Sequence, residues 1–305
     1  KSANDDIKSI FNEAGKDVVI TANVMPQFNK LNIEPARDAI RQLFISRIIE
    51  AKGLNILQSM TSYKIIPTPL AVLHACELLS KGTKTQQGRG DLLAVDIGGA
   101  TTDVYSMASG EPTVDNTMLK GLPEPWMKRT VEGDLGMRYS LTHVYEQIPG
   151  SDNPENEYMQ QVKAWVELCT AHPDTLAAPG SEEEKLEEFL GRSAVSMAVE
   201  RHCGRIADVY TPLGLMHTQE GKDLMNVPSV IGIGGVLRNS RRPEEILKGS
   251  LYDFMHPECT KPRKPKFYLD QKYIFASMGL LRSINPELAF ELLDKETVEI
   301  GCNAT

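Results

Sequence analysis

Hydrophobic positions along the chain alternate between two periods, and each switch marks a change of element. Residues 18–24 (VVITANV) form a short β-branched run that predicts a strand. Over residues 34–51, Ile40, Leu43, Phe44, Ile48 and Ile49 recur at the spacing of one helix face, so an amphipathic helix is expected. Pro35 stands near its start, where a missing N–H costs nothing, and Gly53 follows the last apolar position as a C-cap. Residues 56–66 return to extended character, and Pro67-Thr68-Pro69 opens a second helix through Val72, Leu73, Cys76 and Leu79. This alternation predicts an α/β chain.

Residues 81–91 (KGTKTQQGRGD) are polar, glycine-rich and without period, which reads as an exposed connector at a lobe boundary. The Arg89-Gly90-Asp91 triplet inside it is taken as loop, not as an adhesion signal. Loop compositions at 150–156 and 173–184 flank a predicted helix at 157–170. The acidic run 182–188 suits a solvated helix start, because carboxylates favour the positive end of the helix dipole. A strong helix is expected over 186–209, carrying Glu200, and a last helix over 273–284 after a rigid loop with Pro257, Pro262 and Pro265. No internal repeat or heptad pattern is visible.

Composition narrows the classes. At 305 residues the chain suggests two lobes, and 41% hydrophobic with 24% charged residues is globular. A net charge of −8 argues against a sequence-independent nucleic-acid binder, which needs a basic surface. No apolar run reaches the roughly 20 residues that span a bilayer. The chain starts without Met or a signal-like apolar segment and is expected to be a piece of a longer polypeptide. Five cysteines, Cys76, Cys169, Cys203, Cys259 and Cys302, are odd in number and never form C-x-x-C, which fits a reducing cytoplasm better than disulfides or zinc. The dispersed histidines offer no metal pattern, and His202 beside Cys203 is read as a packing or surface pair.

The chemistry concentrates in residues 92–107 (LLAVDIGGATTDVYSM). Leu92, Leu93, Ala94 and Val95 predict a buried strand ending on Asp96, Gly98 and Gly99 a tight turn, and residues 102–107 a second strand. Glycine amides can approach an anion closely and the Thr101 and Thr102 hydroxyls add donors, so the tip is a candidate phosphate cradle. Asp96 and Asp103 flank it as candidate catalytic carboxylates. Beside phosphate they would repel unless a divalent cation such as Mg2+ lay between, with Asp96 as its ligand. An ordinary glycine-turn hairpin with one capping Asp is the alternative. Residues 227–239 (VPSVIGIGGVLRN) hold a second cluster, where Gly232, Gly234 and Gly235 leave space at a strand end for a flat group or for close helix packing. Neither a Rossmann fingerprint nor a P-loop occurs.

Together these residues resemble the superfamily of actin, sugar kinases and heat-shock chaperone ATPases. Residues 96–103 match its second phosphate motif, D-[IL]-G-[GS]-[GA]-T-[TF]-D, and Gly234-Gly235 after a hydrophobic strand resembles its adenosine motif. The resemblance implies an actin-like ATPase (ribonuclease H-like) fold that binds ATP and Mg2+. Residues 1–88 would be the remainder of a first lobe with a crossing helix, 89–271 a second lobe, and 272–305 a second crossing helix and tail. Ala276 and Gly279 are its small contact residues, and the 186–209 helix would turn Glu200 or Arg201 toward the ribose.

Closer still, ITANVMP, LNIEPARDAIRQLF, IIEAKGL, DIGGATTDVYS, EGDLGMRYS and GIGGVLRN resemble the MutL or GlmL family, accessory proteins encoded beside adenosylcobalamin-dependent glutamate and ornithine mutases. This implies a cytoplasmic ATP-binding chaperone or reactivating factor whose partners are the mutase subunits. Two departures are visible. No first phosphate hairpin precedes Val18, so a truncated first lobe with an exposed strand edge and weak or absent ATP binding are expected, beside a second lobe complete over about 91–270. Ile66 stands where chaperone relatives carry an acidic residue, which takes a water-activating carboxylate from that site. Two other functions stay open on the same fold. A small-molecule kinase would use Asp134 as general base, although its spacing before residues 135–141 suits a helix cap, and a filament or scaffold ATPase would bind nucleotide to control assembly. Valine at Gly98 or Gly234 is expected to abolish nucleotide binding with little loss of fold.

Overall fold

A computed structural model describes residues 3–28, 30–51, 60, 65–212 and 214–301. Gly53, most of the stretch 56–66 and Cys302 lie outside the described residues. The chain divides into two compact units, Lys1–Pro67 and Thr68–Thr305. That division comes ahead of the connector at 81–91, so the helix after Pro67 is part of the second unit.

In the first unit, helix α1 spans Ala3–Glu13 and helix α2 spans Glu34–Ala51. The sequence reading has no counterpart for α1, although Ile7, Ile10 and Phe11 follow helical spacing; all three are exposed. The strand expected at 18–24 is not one: the segment is coil, with Val19 and Ile20 about half exposed. A strand needs a neighbour to pair its N–H and C=O groups, and the described residues of this unit provide only the isolated bridge Gln27–Lys30. An ion pair of Arg47 with Asp17 at 3.0 Å ties the coil to α2.

The second unit is built on a six-stranded mixed sheet. Its strands are β1 (Leu92–Ile97), β2 (Thr102–Met107), β4 (Met127–Glu132), β7 (Ser229–Ile233), β8 (Lys266–Asp270) and β9 (Thr297–Ile300), in the order β4-β2-β1-β7-β8-β9. The β1–β2 hairpin and β2–β4 are antiparallel, β1–β7 and β7–β8 are parallel, and β9 closes the far edge antiparallel to β8. Strands β3 (Thr117–Lys120), β5 (Arg205–Thr211) and β6 (Gly214–Glu220) form a separate small sheet.

Alternation along the central strands divides the core between two faces. Leu93, Val95, Ile97 and Val230 pack toward helices α4 (Leu141–Glu146), α5 (Glu157–Ala171) and α6 (Glu182–His202), where Val162, Trp165, Leu190, Val195 and Val199 are buried. Leu92, Ala94, Tyr105 and Ile231 pack on the other face against α3 (Thr68–Lys81), with α9 (Phe275–Leu281) and α10 (Pro286–Glu296) alongside. Burial on both faces explains why β1 and β7 are almost wholly apolar.

Several boundaries differ from expectation for local reasons. The helix expected to reach residue 209 stops at His202, and after Gly204 the β-branched Ile206, Val209 and Thr211 take up strand β5. No helix starts at residue 135; that segment is a turn and α4 begins at Leu141. Past the expected last helix, Asn285 caps a further one by accepting from Leu288 N–H at 3.1 Å, with Pro286 in its first turn. The Arg89-Gly90-Asp91 loop is tethered: the Arg89 guanidinium donates to Asp294 Oδ1 at 2.7 Å and lies over the Tyr268 ring at 4.7 Å.

The tightest helix contact is α3 against α9, where a Cβ on Gly279 would stand 1.8 Å from Ala71 O. Gly279→Val therefore has to separate the two helices and is expected to cost about 3 kcal/mol or more in urea unfolding. Gly133→Ala, which meets nothing, should change stability by less than about 0.5 kcal/mol.

Candidate functional site

Parallel strands finish on the same sheet edge, and the register that sets Asp96 of β1 opposite Ile233 of β7 brings the two glycine motifs together. Beyond β1 the tip Gly98–Thr101 closes with Gly98 N–H donating to Thr101 O at 2.9 Å. Beyond β7, Gly234 turns the chain at φ +101 into the short helix α7 (Gly235–Asn239). A Cβ on Gly234 would lie 2.5 Å from Ile97 O and 2.7 Å from Asp96 Oδ1. That corrects one expectation: valine at Gly234 would break the backbone contact itself, so it cannot report on ligand binding alone.

The segment after β4 straps the tip in place. Met137 N–H donates to Gly98 O at 3.0 Å, Arg138 and Tyr139 N–H both donate to Gly99 O at 2.8 and 2.9 Å, and Ser140 Oγ donates to Ala100 O at 2.9 Å. With its carbonyls committed to the strap, the tip keeps the Gly99 and Ala100 amides without an acceptor among the described residues. Those amides are the donors an anion requires.

Gly98, Gly99 and Gly235 line one cavity of about 660 Å³. Its walls include Met137, Arg138, Val236, Asn239, Arg241 and Ile246, and the first turns of α6 add Glu184, Glu187 and Glu188. Arg138 organises one wall, donating to Pro173 O at 3.1 Å, Thr175 O at 2.9 Å and Glu187 Oε1 at 2.6 Å. Glu188 is buried and ion-paired with Arg242. The residue-level reading missed this wall, although the acidic run 182–188 and the EGDLGMRYS string were both visible.

The expected site residues separate on inspection. Thr102 is fully buried and its hydroxyl donates to Leu135 O at 2.5 Å, so it is a structural tie and not a donor at the tip. Thr101 is half-buried, with Oγ1 3.4 Å from Asp103 Oδ2. Asp103 is committed to Arg129, which donates from Nε at 2.8 Å and ion-pairs at 2.7 Å. Asp96 differs: no described group donates a hydrogen bond to its carboxylate. Burial, then the charges of Asp103 and Asp270, push its pKa up to about 6, with Arg129 opposing. Asp270 itself caps the start of α9, accepting from Ile274 and Phe275 N–H at 3.0 and 3.1 Å.

Glu200 and Arg201 lie outside the cavity lining, since α6 faces it with its first turns. Arg201 grips Asp134 with two bonds of 2.8 and 2.9 Å and also reaches Glu132 at 2.7 Å, while Glu200 pairs with Arg205 at 2.8 Å. The Arg201 guanidinium holds Asp134 down to about 2, so this carboxylate is neither the expected helix cap nor a base near neutral pH. His202 is fully buried between Ser106 Oγ at 2.8 Å and Thr130 Oγ1 at 2.9 Å, a packing role. Among the described residues no group of three or more His, Cys, Asp or Glu is placed to hold a metal. No helix of the described residues is long and apolar enough to cross a membrane.

A carboxylate raised from 3.8 to about 6 keeps its proton in the folded chain after the unfolded chain has lost it, so stability falls as pH rises between those values. Asp96→Asn removes the penalty. It is expected to raise unfolding stability by on the order of 2 kcal/mol at pH 8 and by almost nothing below pH 4, read from denaturant titrations at the two pH values.

Comparison with known proteins agrees with the motifs. A family profile described as MutL protein matches residues 1–297. Protein MutL of Clostridium tetanomorphum is 44% identical over 303 residues, which is 98% of this chain and 65% of that protein. The chain thus spans about two thirds of the length of this relative, slightly less by count. On the family match and this identity, the chain belongs to the MutL family.

Proposed function

We propose that the chain is the nucleotide-binding part of an ATP-dependent accessory protein that assembles, protects or reactivates an adenosylcobalamin-dependent amino-acid mutase such as glutamate mutase. The observation that carries the nucleotide reading is the convergence of Gly98, Gly99 and Gly235 on one cavity beneath a tip with two unclaimed amides. The phosphates would be held by the Gly99 and Ala100 amides and Thr101, with Gly98 giving the close backbone approach, and the adenosine by Gly234, Gly235 and the apolar side chains Val236 and Ile246. A volume of about 660 Å³ suits a ligand of that size.

Mg2+ fits Asp96 better than Asp103. The Asp96 carboxylate is unsatisfied and crowded by like charge, a situation that a cation relieves, whereas Arg129 already neutralises Asp103. A hard cation that keeps most of its water needs no protein cage, consistent with one carboxylate. When bound it would neutralise phosphate charge. The mixed sheet with helices on both faces is compatible with an actin-like lobe. The mutase partnership is supported by family membership and by the motif resemblance. Asp134, locked to Arg201, speaks against the kinase alternative.

Calorimetric titration with ATP and Mg2+ tests the site. Cβ atoms at Gly99 and Gly235 have room in the fold but project where ligand would lie, so Gly99→Val and Gly235→Val are expected to keep wild-type melting behaviour and lose ATP affinity by about tenfold or more. Asp96→Asn should remove the Mg2+ dependence of that affinity. Equal affinity in folded Gly99→Val overturns the assignment. ATP turnover that rises when inactivated mutase is added supports the partnership, and turnover indifferent to mutase opposes it.

A further inference from the structure

On another part of the second unit, the middle of α6, the turn at 248–254 and Arg263 enclose a hollow of about 620 Å³ that shares no lining residue with the glycine-lined cavity. Four cationic side chains line it, Arg192, Lys248, Lys261 and Arg263, against one carboxylate, Asp253. In a chain of net charge −8 this is a local reversal of sign. Lys248 is neutralised by Glu245 at 2.7 Å, and Asp253 accepts from Met255 N–H at 2.9 Å. None of the other three cations is in an ion pair among the described residues.

Lys261 is the most telling of them. It is 3% exposed, and its Nζ donates only to neutral oxygens: Ser196 Oγ at 2.9 Å, Gly249 O at 3.3 Å and Ser196 O at 3.5 Å. A buried ammonium with no carboxylate in contact is costly, and burial pushes its pKa down, with Glu200 and Asp253 opposing from farther away. An arriving anion would bring a negative charge into direct contact. Arg263 is held over the Tyr252 ring at 5.2 Å, and Tyr252 meets Phe254 edge to face at 5.4 Å. Phe189 and Leu251 complete an apolar lining. A fixed guanidinium beside a buried ammonium recognises phosphate or carboxylate oxygens, and the aromatic and aliphatic lining suits an apolar body.

We propose that this hollow binds a small organic anion, its acid group held by Lys261, Arg192 and Arg263 and its apolar body against Phe189, Leu251 and Tyr252. The volume is that of a metabolite-sized ligand. The site does not depend on the nucleotide reading.

Phenyl phosphate, benzoate and uncharged benzyl alcohol, titrated calorimetrically into the whole chain, test it. At least one of the two anions is expected to bind with a Kd below about 10 mM and the alcohol to bind about tenfold more weakly or not at all. Preference between phenyl phosphate and benzoate identifies the acid. Lys261→Met is the direct variant but alters a buried position. The double substitution Arg192→Gln with Arg263→Gln changes exposed side chains only and should weaken anion binding by about tenfold or more at an unchanged melting temperature. Anion binding that survives the double substitution, alcohol binding equal to the anions, or no binding of either anion overturns the proposal.

Discussion

The parallel pairing of β1 with β7 is the contact on which the candidate site depends. Two glycine motifs far apart in the chain meet because parallel strands end on the same edge, and the register Asp96 to Ile233 sets how closely they meet. A slip of one residue would exchange the faces of every side chain on β7, moving Ile231 and Ile233 away from α3. The two-sided core forbids that slip. Gly234 adds a second lock, because its Cα sits against Ile97 O and the Asp96 carboxylate where no side chain fits.

The two faces of the sheet do different work at that edge. Asp96 follows Leu92 and Ala94 onto the face covered by α3, and Asp103 and Asp270 affect the same environment. The cavity instead involves the strap after β4 and the first turns of α6, elements that cover the opposite face. The hairpin tip thus stands between a carboxylate-rich side and a cavity lined by backbone, arginine and small apolar groups. An arrangement that offers amides on one side and negative charge on the other suits an anionic ligand accompanied by a cation.

Neutralisation of charge elsewhere in the unit makes the exceptions stand out. Asp103 has Arg129, Asp134 has Arg201, Glu188 has Arg242 and Asp270 has the N-terminal amides of α9. Even the fully buried Lys222 is surrounded by acceptors from Ser106, Pro125 and Trp126. Against that background an Asp96 that accepts from no described donor marks a place where the folded chain has left charge for something else to meet.

How far the sequence alone reaches follows from the range of the forces involved. Local signals determined the α/β class, the β1–β2 hairpin, the helix over 157–170, the helix start in the acidic run 182–188, and the family, because turn chemistry, helical spacing and strand alternation act between near neighbours. They also placed Gly98, Gly99, Gly234 and Gly235 at strand ends. What the sequence could not determine was decided at long range. A β-branched run at 18–24 looks like a strand until it lacks a partner, and a helix through His202 looks continuous until Gly204 and the pairing of β5 with β6 end it. Thr102 and Thr101 are indistinguishable by type, but strand alternation combined with the strap buries one hydroxyl on Leu135 and leaves the other near Asp103. Asp96, Asp103 and Asp134 are three similar aspartates in the sequence, and only the placement of Arg129 and Arg201 by distant elements separates an uncompensated carboxylate from two neutralised ones, since Coulomb interactions depend on distance in space and not along the chain.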